Sequence, residues 1–237
     1  MSTFTAEQLN FFKFSAIIVD EFPNALRHAF VNMWDTLHGH TPGCKPWDDS
    51  PDVRGMFLSK EGGMTKVPTA LSFKKWDCTA LLQATLFAKS FSRVYCDGIA
   101  RNLSDKYVKP RGISGGSFHP SVQSPYGDDA ETFALALDQL RLLRNTLFHS
   151  TGTGTIDKTT FDHYIQLAKE AFEAISYDVS QLDFIGTLAE EDFPTSKVEQ
   201  LEEDLKKMRD TSTKLEEIEN TLKDIKQTLQ RERDSTG

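Results

Sequence analysis

The strongest repeat of hydrophobic positions in the chain lies between residues 128 and 149. Apolar side chains recur there with spacings of four, three and seven residues, at Phe133, Leu137, Leu140 and Leu147. These positions share one face of an α-helix, which has 3.6 residues per turn. The position missing from the series is occupied by Arg144. The pattern therefore predicts a helix whose apolar face contains a guanidinium group.

A second amphipathic helix is predicted shortly after the first. Its apolar positions repeat with spacings of four and three residues, at Phe161, Ile165, Ala168, Phe172 and Ile175. Asp128 and Glu131 resemble a capping box at the start of the first helix, and the glycines of TGTGT end that helix after His149. Together the two segments predict a helical hairpin.

The hydrophobic pattern of the N-terminal half also predicts helices. We expect one helix from Glu7 to about Phe22, a second that begins at Pro23, and a long buried helix after Trp76 that carries Leu81 to Phe91. No convincing run of alternating polar and apolar residues is present, and leucine, alanine and phenylalanine dominate the apolar segments. The fold class predicted is therefore an all-α helical bundle.

The composition changes after Pro194. Charged residues there separate a heptad-like series of apolar positions: Val198, Leu201, Leu205, Met208, Leu215, Ile218, Leu222, Ile225 and Leu229. Ser212 falls where the register shifts, as at a stammer or stutter. We predict a helical domain over residues 1–190 and a long coiled-coil helix over residues 195–234. The alternative is a single helix laid back on the bundle.

The net charge of −8 argues against indiscriminate binding of nucleic acids, which requires many basic residues to neutralise phosphates. One stretch nevertheless has a local excess of basic residues. Together with one arginine of the motif helix, it supplies the candidate RNA-binding residues Lys89, Arg93, Arg101, Lys106, Lys109, Arg111 and Arg141. The alternative for this stretch is an ordinary solvated face.

Cysteines and apolar runs indicate the compartment. Cys44, Cys78 and Cys96 are odd in number and far apart, which favours reduced thiols in the cytoplasm. No apolar run approaches 18 residues, so we expect no membrane span. His38 and His40 lie near Cys44, but a zinc site needs further ligands, and we expect no metal or cofactor.

The guanidinium of Arg144 points to a function because an unpaired buried charge is costly. We expect an anionic partner, either a structural carboxylate or a phosphate ligand. Asn145 and His149 lie on a different face of the helix, roughly 100° from Arg144. Two antiparallel copies of the helix around a twofold axis would bring His149 of one chain near Arg144 of the other. Alternatively, His149 caps helix carbonyls and Arg144 pairs with a buried acid.

The segments LRHAFVNMWDTLHG, KKWDCTALLQATLFAKSF and RNTLFHS (Arg144 to Ser150) resemble the HEPN family (higher eukaryotes and prokaryotes nucleotide-binding). Over about residues 22–177 they look most similar to the animal branch named after a DAZ-interacting zinc-finger ubiquitin ligase. The resemblance implies an all-helical, commonly dimeric domain. In catalytic members it implies RNA cleavage without a metal, with a histidine as base and an arginine at the phosphate, the places that His149 and Arg144 occupy, with Asn145 in support.

Two functions follow from this resemblance. The first is a homodimeric RNA-binding protein that acts as a metal-independent endoribonuclease. The second is a catalytically silent dimerisation or scaffold module of a larger regulatory or defence-related assembly, because many relatives are thought to lack activity. In either case the coiled coil would supply contacts to protein partners.

Overall fold

The computed structural model describes residues 4–94, 98–113, 117–149, 154–210 and 213–214, without the side chains of Phe148 and His149. Seven named α-helices are α1 (Ala6–Ala16), α2 (Phe22–Leu37), α3 (Pro51–Lys60), α4 (Cys78–Thr85), α5 (Asp129–His149), α6 (Lys158–Ala174) and α7 (Ser180–Thr187). Residues 195–210 are also helical. This mainly helical architecture confirms the all-α prediction. Within the described ranges the exception is a short antiparallel hairpin of β1 (Arg93–Val94) and β2 (Ala100–Arg101).

The two predicted N-terminal helices form one continuous helical run, so the break expected at Phe22 is wrong. A π-helical segment, Ile17–Glu21, joins α1 to α2, and the N–H of Phe22 donates to the carbonyl of Ile17. The physical reason is Pro23, which has no N–H and disrupts the regular α-helical ladder of the preceding turn. The run stays helical, and its apolar side continues into the core.

An aromatic cluster anchors the middle of α2. The rings of Phe30 and Trp34 in α2 pack with those of Trp47, Phe57 and Trp76. The indole nitrogen of Trp34 also donates to the carbonyl of residue 45 at 2.9 Å. These contacts fix the segment after α2 and the start of α4 relative to α2.

The long buried helix predicted after Trp76 is shorter than expected. Asp77 caps α4 by accepting a hydrogen bond from the N–H of Ala80 at 2.7 Å, but α4 ends at Thr85. Beyond it, the buried carboxylate of Glu61 accepts the N–H groups of Lys89 and Ser90 at 3.0 and 2.8 Å. These bonds hold that stretch outside an α-helix, and a 3-10 turn, Lys89–Phe91, replaces it.

The predicted helical hairpin is formed by α5 and α6, which pack against each other. Asp128 accepts hydrogen bonds from the N–H groups of Ala130 and Glu131, at 2.9 and 3.3 Å, and so acts as the predicted cap. Glu131 does not complete the capping box. Its carboxylate instead accepts hydrogen bonds from Arg111 and from the hydroxyl of Ser124.

The 195–210 helix lies on the bundle. Its apolar residues Val198, Leu201 and Leu205 are buried, and the first two pack with Phe12 and Phe193. Leu205 belongs to the main core. Over this part of the predicted coiled coil, the alternative of a helix laid back on the bundle describes the packing. The coiled-coil positions Leu215 to Leu229 lie outside the described residues.

We expect Leu201→Ala to lower the free energy of unfolding by about 2–4 kcal/mol, because it removes a buried side chain and leaves a cavity. Urea denaturation monitored by circular dichroism measures the change. Glu202→Ala, at the neighbouring exposed position, is the control and should stay within about 0.5 kcal/mol of the parent. A loss of association without any loss of stability would mean that Leu201 serves contacts between chains.

Candidate functional site

Arg144 lies inside the bundle, at the buried position that the spacing predicts. Only 4% of the residue is exposed. One terminal nitrogen, Nη1, donates to the hydroxyl of Thr79 in α4 at 2.9 Å. Nε and Nη2 donate to the side-chain oxygen of Asn145 at 3.3 and 3.2 Å. The guanidinium is thus held between the start of α4 and the next residue of its own helix.

Both of these acceptors are neutral, so neither is the anionic partner that the sequence predicts. The neighbouring thiol of Cys78 is also uncharged at neutral pH. Burial raises its pKa to about 11, even though the charge of Arg144 and a hydrogen bond from it act in the opposite direction. Cys44 and Cys78 are free thiols, and Cys96 lies outside the described residues. The Thr79 hydroxyl and the Asn145 amide thus contribute neutral dipoles to the surroundings of the cation.

The structure describes the side chain of Asn145 but only the backbone of His149. Asn145 is half-buried, and its side-chain oxygen is bound to Arg144. The backbone of His149 ends α5, whereas its side chain lies outside what the structure describes. The structure brings Arg144 and Asn145 together, and the meeting of Arg144 with His149 across a twofold axis stays a prediction.

At least three of the seven candidate RNA-binding residues form ion pairs with carboxylates that the structure describes in the same chain. The pairs are Lys109 with Asp105, Arg111 with Glu131, and Arg141 with Asp138. Each pair places a negative charge within a few ångströms of the positive one, so the field that would attract phosphates is weakened. The basic stretch is therefore less cationic than its sequence alone suggests.

The other four candidates are spread over three places: the β1–β2 hairpin, the ring of Tyr107 and the carbonyl of Glu61. Arg93 and Arg101 face each other across the β1–β2 hairpin. The ammonium group of Lys106 lies 4.7 Å from the ring centroid of Tyr107, and that of Lys89 donates to the carbonyl of Glu61 at 3.4 Å. The hairpin is thus the place where two arginines are brought together.

A second polar cluster on α5 was missed by sequence reasoning. Asp138 is only 1% exposed, and its two oxygens accept hydrogen bonds from Nε2 of His119 at 2.8 Å and Nε of Arg141 at 2.6 Å. Its acceptor-only carboxylate means that the ring nitrogen of His119 is the donor. The side chain of Gln139 accepts the backbone N–H of His119 at 2.9 Å. The cluster ties the segment before α5 to the middle of that helix.

The ionisation of Asp138 follows from its partners. Burial is the largest influence and raises the pKa of the carboxyl, but the hydrogen bonds and charges of His119 and Arg141 together hold it below its usual value. Asp138 is therefore ionised at neutral pH. The signal available in the sequence was a lone carboxylate in the leucine-rich stretch from Leu135 to Leu143, since a carboxylate that faces the core needs partners.

Metal sites and membrane spans find no support in the described ranges. No group of three or more His, Cys, Asp or Glu residues there is arranged to hold a metal ion. At the histidine cluster considered from the sequence, Nε2 of His38 lies 2.9 Å from the carbonyl of Ser90. Among the described helices, none is long and apolar enough to cross a membrane.

No family model matches the chain, and comparisons with curated proteins and with solved structures find no match either. The HEPN resemblance therefore depends on the three segments quoted above. The geometry around Arg144 is the structural observation that bears most directly on function.

Proposed function

We propose that this chain is a catalytically silent, HEPN-like helical module that serves the association of proteins, and that Arg144 supports its structure. The observation that carries the proposal is the burial of Arg144, at 4% exposure, with its donors directed at Thr79 and Asn145. An arginine that binds a phosphate must present its N–H groups to that ligand. Here the nitrogens Nε, Nη1 and Nη2 all donate to side chains of the same chain.

The distribution of charge supports the same conclusion. Affinity for RNA depends on neutralising several phosphates with Lys and Arg. The chain carries a net charge of −8, and Lys109, Arg111 and Arg141 are paired with its own carboxylates. A module of this kind is better suited to protein contacts than to holding a polyanion.

The second candidate is an RNA-binding homodimer that cuts RNA without a metal. The observation that favours it is the half-buried position of Asn145, which accepts hydrogen bonds from two guanidinium nitrogens. Rotation of this one side chain would release both donors at the edge of the site. Arg144 would then hold a phosphate, and His149 of a second chain would take the proton of the 2′ hydroxyl.

Incubation of the full-length protein with end-labelled single-stranded RNA in EDTA distinguishes the two candidates. We expect the RNA to stay intact even with a large excess of protein. Products that end in 2′,3′-cyclic phosphate and disappear in His149→Ala, but not in His163→Ala, would overturn the silent module. His163 is an exposed histidine of α6 and therefore a matched control. His149 is the better test position, because Arg144 also supports the fold.

A further inference from the structure

A cavity of about 200 Å³ opens between α2, the first turn of α5 and the β1–β2 hairpin. Most of its wall is apolar and is formed by Met33, Leu37, Phe91, Leu103 and Phe133. Pockets for drug-sized ligands usually measure about 300–1,000 Å³, so this one is small for a cofactor. It has the size of a socket for one large side chain, of the kind that anchors protein interfaces.

Positive charge lies at the hairpin side of this socket. Arg93 lines the cavity, and Arg101 is its partner residue across the hairpin. Asp129 also lines the cavity and offsets part of this charge. The side chain that fits best is therefore apolar and comes from a segment with several carboxylates, which two arginines attract.

Helix α7 of the same chain has these properties. Phe184 is 59% exposed and is the only phenylalanine among the exposed large hydrophobic residues of the described ranges. The stretch from Asp178 to Asp192 contains five acidic residues and neither lysine nor arginine. Lys169 of α6 pairs with one of them, Asp183, and offsets part of this negative charge. An exposed aromatic ring of this size is suited to anchor a contact, because aromatic residues are enriched at interfaces.

The packing of α7 on its own bundle also fixes the position of Phe184 before any association takes place. Leu182 and Ile185 are buried on the opposite side of α7, and the ammonium group of Lys13 donates to the carbonyl of Gly186 at 2.9 Å. The outward orientation of the ring is therefore set by the packing of the helix, which lowers the entropic cost of an association. Because α7 is anchored in this way, the ring of Phe184 is presented to solvent, where another molecule can meet it.

We propose that α7 of one molecule inserts Phe184 into the socket of a second copy of this chain. The acidic stretch of α7 then lies beside Arg93 and Arg101. Each molecule offers one ring and one socket on different surfaces. In the arrangement we propose, the contact is head-to-tail and adds further molecules in the same way. The contact does not depend on Arg144, on RNA or on a twofold dimer.

Photo-crosslinking identifies the contact directly. The photoreactive residue p-benzoylphenylalanine replaces Phe184 in the full-length protein, and the same residue at Tyr126, which is 89% exposed, is the control. We expect crosslinks between molecules from position 184 to the peptides that contain Met33 or Phe133. Intermolecular crosslinks to other peptides only, or none above the control, would overturn the proposal.

Mixing experiments test the head-to-tail arrangement. Phe184→Ser removes the ring, and Ala130→Trp fills the socket from its rim. For each variant alone, the sedimentation coefficient should no longer rise with protein concentration. Its association should be at least ten-fold weaker than that of the parent. A mixture of the two should regain a single contact, because the intact ring of one meets the intact socket of the other. A mixture that behaves like the separate variants would contradict the arrangement.

Two further variants keep the test decisive. Arg93→Glu reverses the charge at the socket without filling it, and should weaken the association as Phe184→Ser does, even if Ala130→Trp fails to fold by circular dichroism. Tyr126→Ser removes an exposed aromatic residue that does not line the socket and should change nothing. If Arg93→Glu has no effect while Phe184→Ser does, the ring binds another surface and the proposal fails.

Discussion

Asp138→Ala is expected to lower the free energy of unfolding by about 3–5 kcal/mol, among the largest effects of any single substitution in this chain. The substitution leaves the buried ring of His119 and the guanidinium of Arg141 without their shared acceptor. The cost is large because a buried donor, the ring of His119, loses its acceptor while the partly buried cation of Arg141 loses its counter-ion. Urea denaturation at pH 7 provides the measurement.

The control for this substitution is Arg141→Ala. The side chain of Arg141 is 30% exposed, so water solvates it and screens its charge. After its loss, Asp138 keeps the hydrogen bond from His119. We therefore expect the free energy of unfolding to fall by only about 1 kcal/mol. Equal effects of the two substitutions would show that the cluster acts only through the surface ion pair.

The stability that Asp138 contributes also depends on pH. Its pKa in the folded protein lies below the ordinary value of 3.8, so the folded state favours the ionised carboxylate. This contribution is complete above the unfolded-state pKa and is lost as the pH falls through the folded-state pKa. The difference in unfolding free energy between the parent and Asp138→Asn should therefore shrink below about pH 4. A difference that is constant down to pH 2 would contradict this assignment.

The hydrophobic pattern predicts the parts of the fold that depend on helical periodicity. Helices α5 and α6 were predicted because their apolar positions recur over several turns and the two are joined by a short glycine-containing loop. The burial of Arg144 follows from the same periodicity, since an interrupted stripe still faces the core. These predictions concern contacts within or next to one helix.

Features that depend on distant residues were not predictable in this way. The hairpin of β1 and β2 has only two residues in each strand, too few for an alternating pattern to be recognised. His119 lies in a segment rich in Gly, Ser and Pro, and only the fold brings it to Asp138 of α5. The early end of α4 likewise depends on Glu61, which lies 28 residues before Lys89.

The polar residues of α5 share one property that the sequence could not supply. Asp138 is bound by His119 and Arg141, and Arg144 is bound by Thr79 and Asn145. Glu131, the third buried charged residue of this helix, is bound by Arg111 and Ser124, so all three have partners in their own chain. A helix with its buried charges satisfied in this way is suited to specify one packing arrangement of the bundle, which is the structural role we assign to Arg144.

Arg144→Ala is the second substitution with a large expected effect. We expect it to lower the free energy of unfolding by about 2–4 kcal/mol, because it leaves a cavity and removes hydrogen bonds from a charged donor to Thr79 and Asn145. Arg144→Lys keeps the charge but cannot reach both acceptors with a planar fork, so a smaller loss is expected. Thr79→Val tests one of these bonds at nearly constant volume and should cost about 1–2 kcal/mol.

The double mutant Arg144→Ala, Thr79→Val decides whether the two side chains act together. If the hydrogen bond between them stabilises the fold, the effects of the single substitutions should not add, and the coupling should exceed about 0.5 kcal/mol. An Arg144→Ala protein that is as stable as the parent, or more stable, would contradict a structural role for Arg144. Residues that serve a ligand often reduce stability, so that outcome would return Arg144 to the role of a phosphate-binding group and favour the RNA-cutting candidate.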